Sequence, residues 1–177
     1  MRGAVWVALL FVVLALYLFK RVQVVPMQTA RIIERLGAYS RTLSPGVHFL
    51  LPIIERKRED IDLKEWQVHF HEPIILADSL LSTVEAQMWA SVVDPVAAAY
   101  QVSDHVEATR MAALTSLRHF LGLRILDDIT SSFHEIDGLI RSHTNEVVTS
   151  WGIQINRFAM TRITGPQDIQ VLSLIHI

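Results

Sequence analysis

The chain has no cysteine and only three lysines, Lys20, Lys57 and Lys64. It therefore has no disulfide, no thiolate metal ligand and no thiol nucleophile. Its seven glycines stand singly, so no glycine-rich phosphate loop can form. The motifs G-x-S-x-G, S-x-x-K and H-E-x-x-H are missing. A serine–lysine pair would need Lys57 or Lys64, and no serine neighbours either one in sequence. On this inventory the chain is not expected to be an enzyme, and neither cofactor nor metal is expected. Basic charge is also in short supply. With 18 acids against 16 bases the net charge is −2, which argues against nucleic acid as a partner.

What the chain has in excess is apolar sequence, 51% of 177 residues, and it is unevenly spread. Residues 4–19 run AVWVALLFVVLALYLF without a charge or an amide. As a helix these cover about 24 Å, and the stems of Lys20 and Arg21 extend the reach to the headgroups. Trp6 and Tyr17 stand near opposite ends, where interfacial aromatics belong. The run is read as a membrane anchor that includes Ala4, Val5, Trp6, Leu10, Phe11, Leu14, Tyr17 and Phe19. A cleaved signal peptide would need small residues after the run, and Leu16-Tyr17-Leu18-Phe19 supplies bulky ones. Lys20, Arg21, Arg31 and Arg35 lean the C-terminal flank toward the cytoplasm without fixing the side. Removing residues 1–21 takes away Arg2, Lys20, Arg21 and no acid, leaving about −5 and roughly 47% apolar residues, ordinary for a globular domain.

Beyond the anchor, Val22–Val25 and Thr29–Arg35 read as strands, and Ser44-Pro45-Gly46 as a turn. Val47–Pro52 reads as a short apolar strand and Glu55–Asp60 as a solvated connection. Short strands are expected over Asp60–Lys64, Trp66–Phe70 and Pro73–Leu76. Thr83–Val93 alternates with period two, placing Val84, Ala86, Met88, Ala90 and Val92 on one buried face. Asp94-Pro95 reads as an N-cap and first helical residue. A longer helix over Asp104–Leu121 would bury Val106, Met111, Ala113, Leu114, Leu117 and Leu121, with Gly122 as its cap. Ser132-Phe-His-Glu135 reads as a capping box for a helix through Ser150, stopped by Trp151-Gly152. Ile153–Ile163 reads as a last strand, and Gly165-Pro166 as the start of another helix. The order gives an α+β fold with an antiparallel sheet.

Five stretches in register carry a family resemblance. They are Val25-Pro26 with Ile33-Glu-Arg-Leu-Gly37, Tyr39, Arg41 and Leu43; Pro45-Gly-Val-His-Phe-Leu-Leu-Pro52; Thr83–Val93 with Asp94-Pro95, Ala98 and Tyr100; Leu117-Arg118 with Leu121-Gly122; and Trp151-Gly152-Ile-Gln-Ile155. Over roughly residues 22–170 the chain resembles the stomatin/prohibitin/flotillin (SPFH, band 7) family, most of all the prokaryotic stomatin (slipin) type. The resemblance implies a transmembrane anchor at 1–21, a mostly β first SPFH subdomain at 22–80 and an α+β second subdomain at 81–165. Residues 166–177 would then begin an assembly helix that is cut short. It also implies a homo-oligomeric scaffold at the prokaryotic inner or plasma membrane, with membrane lipids and a membrane protease or channel as partners. The alternatives are a non-catalytic regulatory subunit of a membrane protease and, less favoured, a membrane-bound hydrolase.

Four features carry local expectations. His69 and His71 share a strand face and could share a metal, but lack a third ligand at motif spacing; exposed strand histidines are the expectation. Trp89, on the polar side of its strand, is expected to pack under a helix or mark an interface. Arg118 is expected to donate to a surface or inter-subunit ion pair. Val47, Phe49, Leu50 and Leu51 form either a buried strand or an apolar segment that dips into the headgroups.

Overall fold

The computed structural model describes residue 6, residues 22–51 and residues 54–165. Of the expected anchor, Ala4, Val5, Leu10, Phe11, Leu14, Tyr17 and Phe19 lie outside the described residues; Trp6 is described and exposed. Among the described residues no helix is long and apolar enough to cross a membrane. The helix expected after Gly165-Pro166 also lies outside them.

The chain divides into two compact units between Leu63 and Lys64. The sequence places this boundary at 80/81. The strand over Trp66–Ile75 moves it, because all ten of its residues pair with the long strand that follows.

Among the described residues the first unit holds five strands: β1 (Val22–Val25), β2 (Thr29–Arg35), β3 (Ala38–Leu43), β4 (Gly46–Phe49) and β5 (Glu55–Asp62). β1 and β4 form a two-stranded antiparallel ribbon, and β2 is the centre of a three-stranded sheet in the order β3-β2-β5. Val25 and Leu50 pack with Ile33 and Leu43 of that sheet. The stretch expected to be a solvated connection is thus strand β5. Its charges hid it: among Glu55–Asp62 only Glu55 and Ile61 are buried, and the others face solvent. Ion pairs dress its surface, Lys57–Asp60 at 2.6 Å and Arg58–Glu34 at 2.7 Å. Arg31 on β2 is nearly buried, donates to both Asp60 oxygens at 2.6 and 3.0 Å, and reaches Gln23 at 2.6 Å. The Arg31 pair holds the Asp60 carboxyl below the usual range.

The β2–β3 hairpin turns at Leu36 (φ +51°) and Gly37 (φ +87°). Positive φ costs glycine nothing, whereas leucine there carries roughly 1–2 kcal/mol. Leu36 is also 84% exposed.

The second unit is a three-stranded antiparallel sheet, β6 (Trp66–Ile75), β7 (Leu81–Val92) and β8 (Ile153–Thr164), in that order. Among the described residues its helices are α1 (Pro95–Gln101), α2 (His105–Gly122), α3 (Leu126–Ser131) and α4 (Phe133–Val148), followed by a 3-10 turn at Thr149–Trp151. The strands expected over 66–70 and 73–76 are one strand running through Pro73. β6 is an edge strand, so the missing N–H is tolerated. The alternating face expected for β7 is buried as predicted and packs on Ala113, Leu114, Leu117 and Leu121 of α2 and Ile136 and Ile140 of α4. Val106 and Met111, expected in the α2 stripe, are exposed; Thr109 and Ser116 take buried places, each hydroxyl bonded to a carbonyl one turn back.

Asp94 caps α1 as expected, its carboxylate accepting from the N–H groups of Val96 and Ala97. Two other caps differ. α2 ends in Gly122 without a left-handed glycine, its cap being Leu123 in right-handed geometry. Ser132 makes no capping box; its hydroxyl donates to the Asp128 carbonyl, closing α3, which the sequence pattern did not reveal.

Candidate functional site

The ribbon β1–β4 pairs Val22 with Phe49 and Val24 with Val47. Directly paired residues of an antiparallel ribbon share a face, so these four apolar side chains stand together. All four are exposed, Val47 by 70% and Val24 by 65%. Val25 and Leu50, by contrast, pack inward. Of the expected contact residues, Val47, Phe49 and Leu51 are therefore exposed, and Leu50 is not: it is 7% exposed and belongs to the core. Alternation along an extended backbone turns Leu50 away from its neighbours. The sequence missed Val22 and Val24 as members of the face, although the alternation in Val-Gln-Val was the available signal.

A carboxylate holds this surface in shape. The Glu55 side chain is 1% exposed. It accepts from the Leu51 N–H at 2.9 Å, from Arg41 at 3.0 Å and from Arg35 at 3.3 Å. Arg41 also donates to the Phe49 carbonyl at 3.1 Å. The Glu55 N–H donates to Leu51 O, and the Leu36 N–H donates to Ile54 O, each at 3.2 Å. The Leu51 amide and the two guanidiniums outweigh burial and hold the Glu55 carboxyl below its ordinary range. Leu36, Leu51 and Ile54, all exposed, are thereby tied to one end of the unit.

The second unit shows a different surface. On the sheet face opposite the helices, His69 and His71 lie beside Glu85, Gln87 and Thr161 around a shallow recess of about 200 Å³. His71 Nδ1 is 3.8 Å from Glu85. Among the described residues no group of three or more His, Asp or Glu could hold a metal ion. Trp89 is on this face too, not under a helix; the Arg157 guanidinium lies 5.0 Å from its ring centroid. Arg118 pairs within the unit with Glu72 at 3.3 Å, which Arg110 shares at 3.6 Å.

Three α4 side chains close the outer edge of β8. Asn145 exchanges two hydrogen bonds with the Ile155 backbone at 2.8 and 3.3 Å. Asp137 accepts from the Met160 N–H at 3.0 Å, and Arg141 reaches the Asn156 carbonyl at 3.4 Å. A closed edge cannot add a further strand. Burial raises the Asp137 carboxyl above its ordinary range despite the Met160 bond. A Ser116–His143 contact at 3.0 Å links α2 to α4, but Ser116 is 2% exposed and also bonds Thr144, so it joins helices and presents no nucleophile.

An apolar cluster the sequence did not single out lies where the β6–β7 hairpin meets the end of α2. Ile75 pairs with Leu81, and the Ala77 N–H donates to the Arg124 carbonyl at 3.0 Å. Ile75, Leu81, Leu123 and Ile125 are all exposed there. Asp78, Asp127 and Asp128 follow close by in sequence.

Residues 23–171 match the SPFH domain / Band 7 family. An uncharacterized protein of Mycobacterium bovis is 32% identical over 95% of this chain and 44% of its own length. An uncharacterized protein of Methanothermobacter thermautotrophicus is 30% identical over 91% of this chain and 51% of its own. Human mitochondrial stomatin-like protein 2 is 29% identical over 82% of this chain and 42% of its own. The chain thus spans about half the length of these curated relatives. The chain belongs to the SPFH domain / Band 7 family.

Proposed function

We propose that this chain is the membrane-facing part of an oligomeric scaffold, anchored through residues 4–19, that organises the bilayer around it and regulates resident membrane proteins. The exposed apolar face of Val22, Val24, Val47 and Phe49 supports this reading most strongly. It starts three residues after the apolar run ends. Transferring such side chains from water gains on the order of 1 kcal/mol each, too little to hold a free chain on a bilayer. For a chain already tethered the contact is intramolecular, and that gain suffices to hold the ribbon down. Charge runs the same way. Beyond the anchor, residues 22–63 carry six basic and five acidic side chains, whereas 64–177 carry seven basic and thirteen acidic, so an anionic surface repels the second unit and not the first.

Because the chain has no cysteine, a single introduced thiol labels one site only. In the full chain reconstituted into vesicles, an environment-sensitive dye at Phe49→Cys is expected to shift to the blue and brighten severalfold. Acyl-chain nitroxides should quench it. The same dye at His71→Cys, on the outer sheet face, should stay water-like. Equal spectra at both sites would remove the membrane-contact reading.

Lateral assembly falls, in this reading, to the cluster of Ile75, Leu81, Leu123 and Ile125, with a second copy of the chain as the occupant. Apolar patches of this kind mark association surfaces. Leu123→Asp is expected to weaken self-association at least ~10-fold, about 1.4 kcal/mol. Mass distributions in detergent check this, with exposed Thr115→Asp on α2 as the neutral comparison. An unchanged distribution for Leu123→Asp would move the subunit contact elsewhere.

A further inference from the structure

We propose that the recess between the β2–β3 turn and the start of β5 is a headgroup site for an anionic phospholipid. Arg56 pairs with the lipid phosphate, and Leu36 stands as a wedge among the acyl chains. This rests on the membrane contact proposed above and names the lipid class that meets it.

The recess encloses about 600 Å³, within the range of small-ligand sites. Its lining combines Leu36, Leu50 and Ile54 with Gln23, Arg56, Lys57 and the Glu55 carboxylate that Arg35 and Arg41 neutralise. Such walls suit a molecule with a charged head and an apolar body. The carboxylates of this unit are shared unequally among its cations. Arg35 and Arg41 share Glu55, and Arg31 and Lys57 share Asp60. The Arg56 guanidinium has no carboxylate partner among the described residues. Glu34, opposite Arg56 across β2–β5, is engaged by Arg58 at 2.7 Å, and Glu55 is taken up by two arginines, so Arg56 is the lining cation left to meet an external anion.

Two observations favour a lipid over a soluble anion. Leu36 is held in the left-handed region at φ +51° with most of its side chain exposed, a conformation costly for leucine and a position costly for an apolar group in water. A soluble phosphate would use neither Leu36 nor Ile54. The recess also adjoins the exposed apolar face: Gln23 in its wall follows Val22, and Leu50 follows Phe49, the partner of Val22.

The test uses the full chain in phosphatidylcholine bilayers doped with spin-labelled phosphatidylglycerol or spin-labelled phosphatidylcholine. The readout is the ratio of motionally restricted label between the two lipids. One cation at an anionic headgroup is worth about fivefold, ~1 kcal/mol, so the unaltered chain should prefer phosphatidylglycerol by about that factor. Arg56→Gln should bring the ratio close to one, and Arg56→Lys should keep most of it. Leu36→Ser should lower the restricted fraction of both lipids. Arg162→Gln, on exposed β8, should change nothing. If Arg56→Gln keeps the preference, or the unaltered chain has none, the headgroup site is wrong; the dye at Phe49 then tells whether membrane contact survives. If inorganic phosphate at constant ionic strength removes the preference, the recess binds a soluble anion and the lipid assignment is overturned.

Discussion

Gly152→Ala is expected to destabilise the second unit by roughly 3–5 kcal/mol, a fifth or more of the stability of an ordinary domain. Gly152 has φ +72°, and a Cβ built there would lie 2.2 Å from the Asp94 carbonyl oxygen and 3.0 Å from the Ala97 Cβ. Neither neighbour can yield cheaply. The N–H groups of Val93 and Asp94 both donate to the Gly152 carbonyl, at 2.8 and 3.0 Å. The Asp94 side chain also caps α1, a bond worth about 1 kcal/mol. Moving Asp94 aside would break the cap and the two backbone bonds together. Gly37→Ala separates conformational cost from collision: φ is +87° but the space is open, so only about 1 kcal/mol should be lost. Gly138→Ala, inside α4 with open space, should gain roughly 0.5–1 kcal/mol. Urea midpoints, each taken relative to the unaltered chain, order the three; tryptophan fluorescence reads Gly152→Ala and Gly138→Ala in the second unit, and a dye on a single cysteine introduced into the first unit reads Gly37→Ala. If Gly152→Ala falls no further than Gly37→Ala, the end of β7 and the start of β8 do not approach as described.

That contact also shows what was legible in the sequence and why. The Asp94-Pro95 and Trp151-Gly152 motifs could each be read as local punctuation, a cap and a stop, because each acts on its own neighbours. Their contact with one another, nearly sixty residues apart, has no local signature. β7 was legible for the same reason: with one face buried, its apolar residues repeat every second position over the whole strand. β5 was not, because a strand can be stabilised by charges paired across β2 without any apolar period. At the candidate site, Val47, Phe49 and Leu51 were visible as an apolar segment, but Leu50 could not be separated from them. Its inward direction depends on a cluster with Val25, Ile33 and Leu43, contributed by three other strands. Glu55 was invisible as a site residue. It stood in a charged run that reads as solvated, and its arginine partners are 14 and 20 residues away.

Glu55→Gln is expected to cost about 2–3 kcal/mol and to loosen the turn that carries Phe49 and Leu51. The amide oxygen can still accept the Leu51 N–H, but the amide nitrogen would then face Arg41 and Arg35 as a donor among donors. Arg41 would lose the ion that holds it over the Phe49 carbonyl. The loss should depend on pH, and its sign follows from the shift. The folded-state pKa of Glu55 lies below the unfolded one, so its contribution is fully present above the ordinary carboxylate range of about 4.3. It fades as pH falls through the lowered folded value. Asp60, held down by Arg31, behaves in the same way. Asp137 acts in the opposite sense: with its pKa raised by burial, its contribution is present at low pH and lost as pH rises through the folded value. It sits in the second unit, so separate probes distinguish the two. Between pH 7 and pH 3 the unaltered chain and Glu55→Gln should converge in urea midpoint for the first unit. A gap that stays constant over that range would mean that Glu55 acts through its shape and not its charge. The Phe49 carbonyl would then owe its position to the backbone bonds of Leu51 and Glu55 alone.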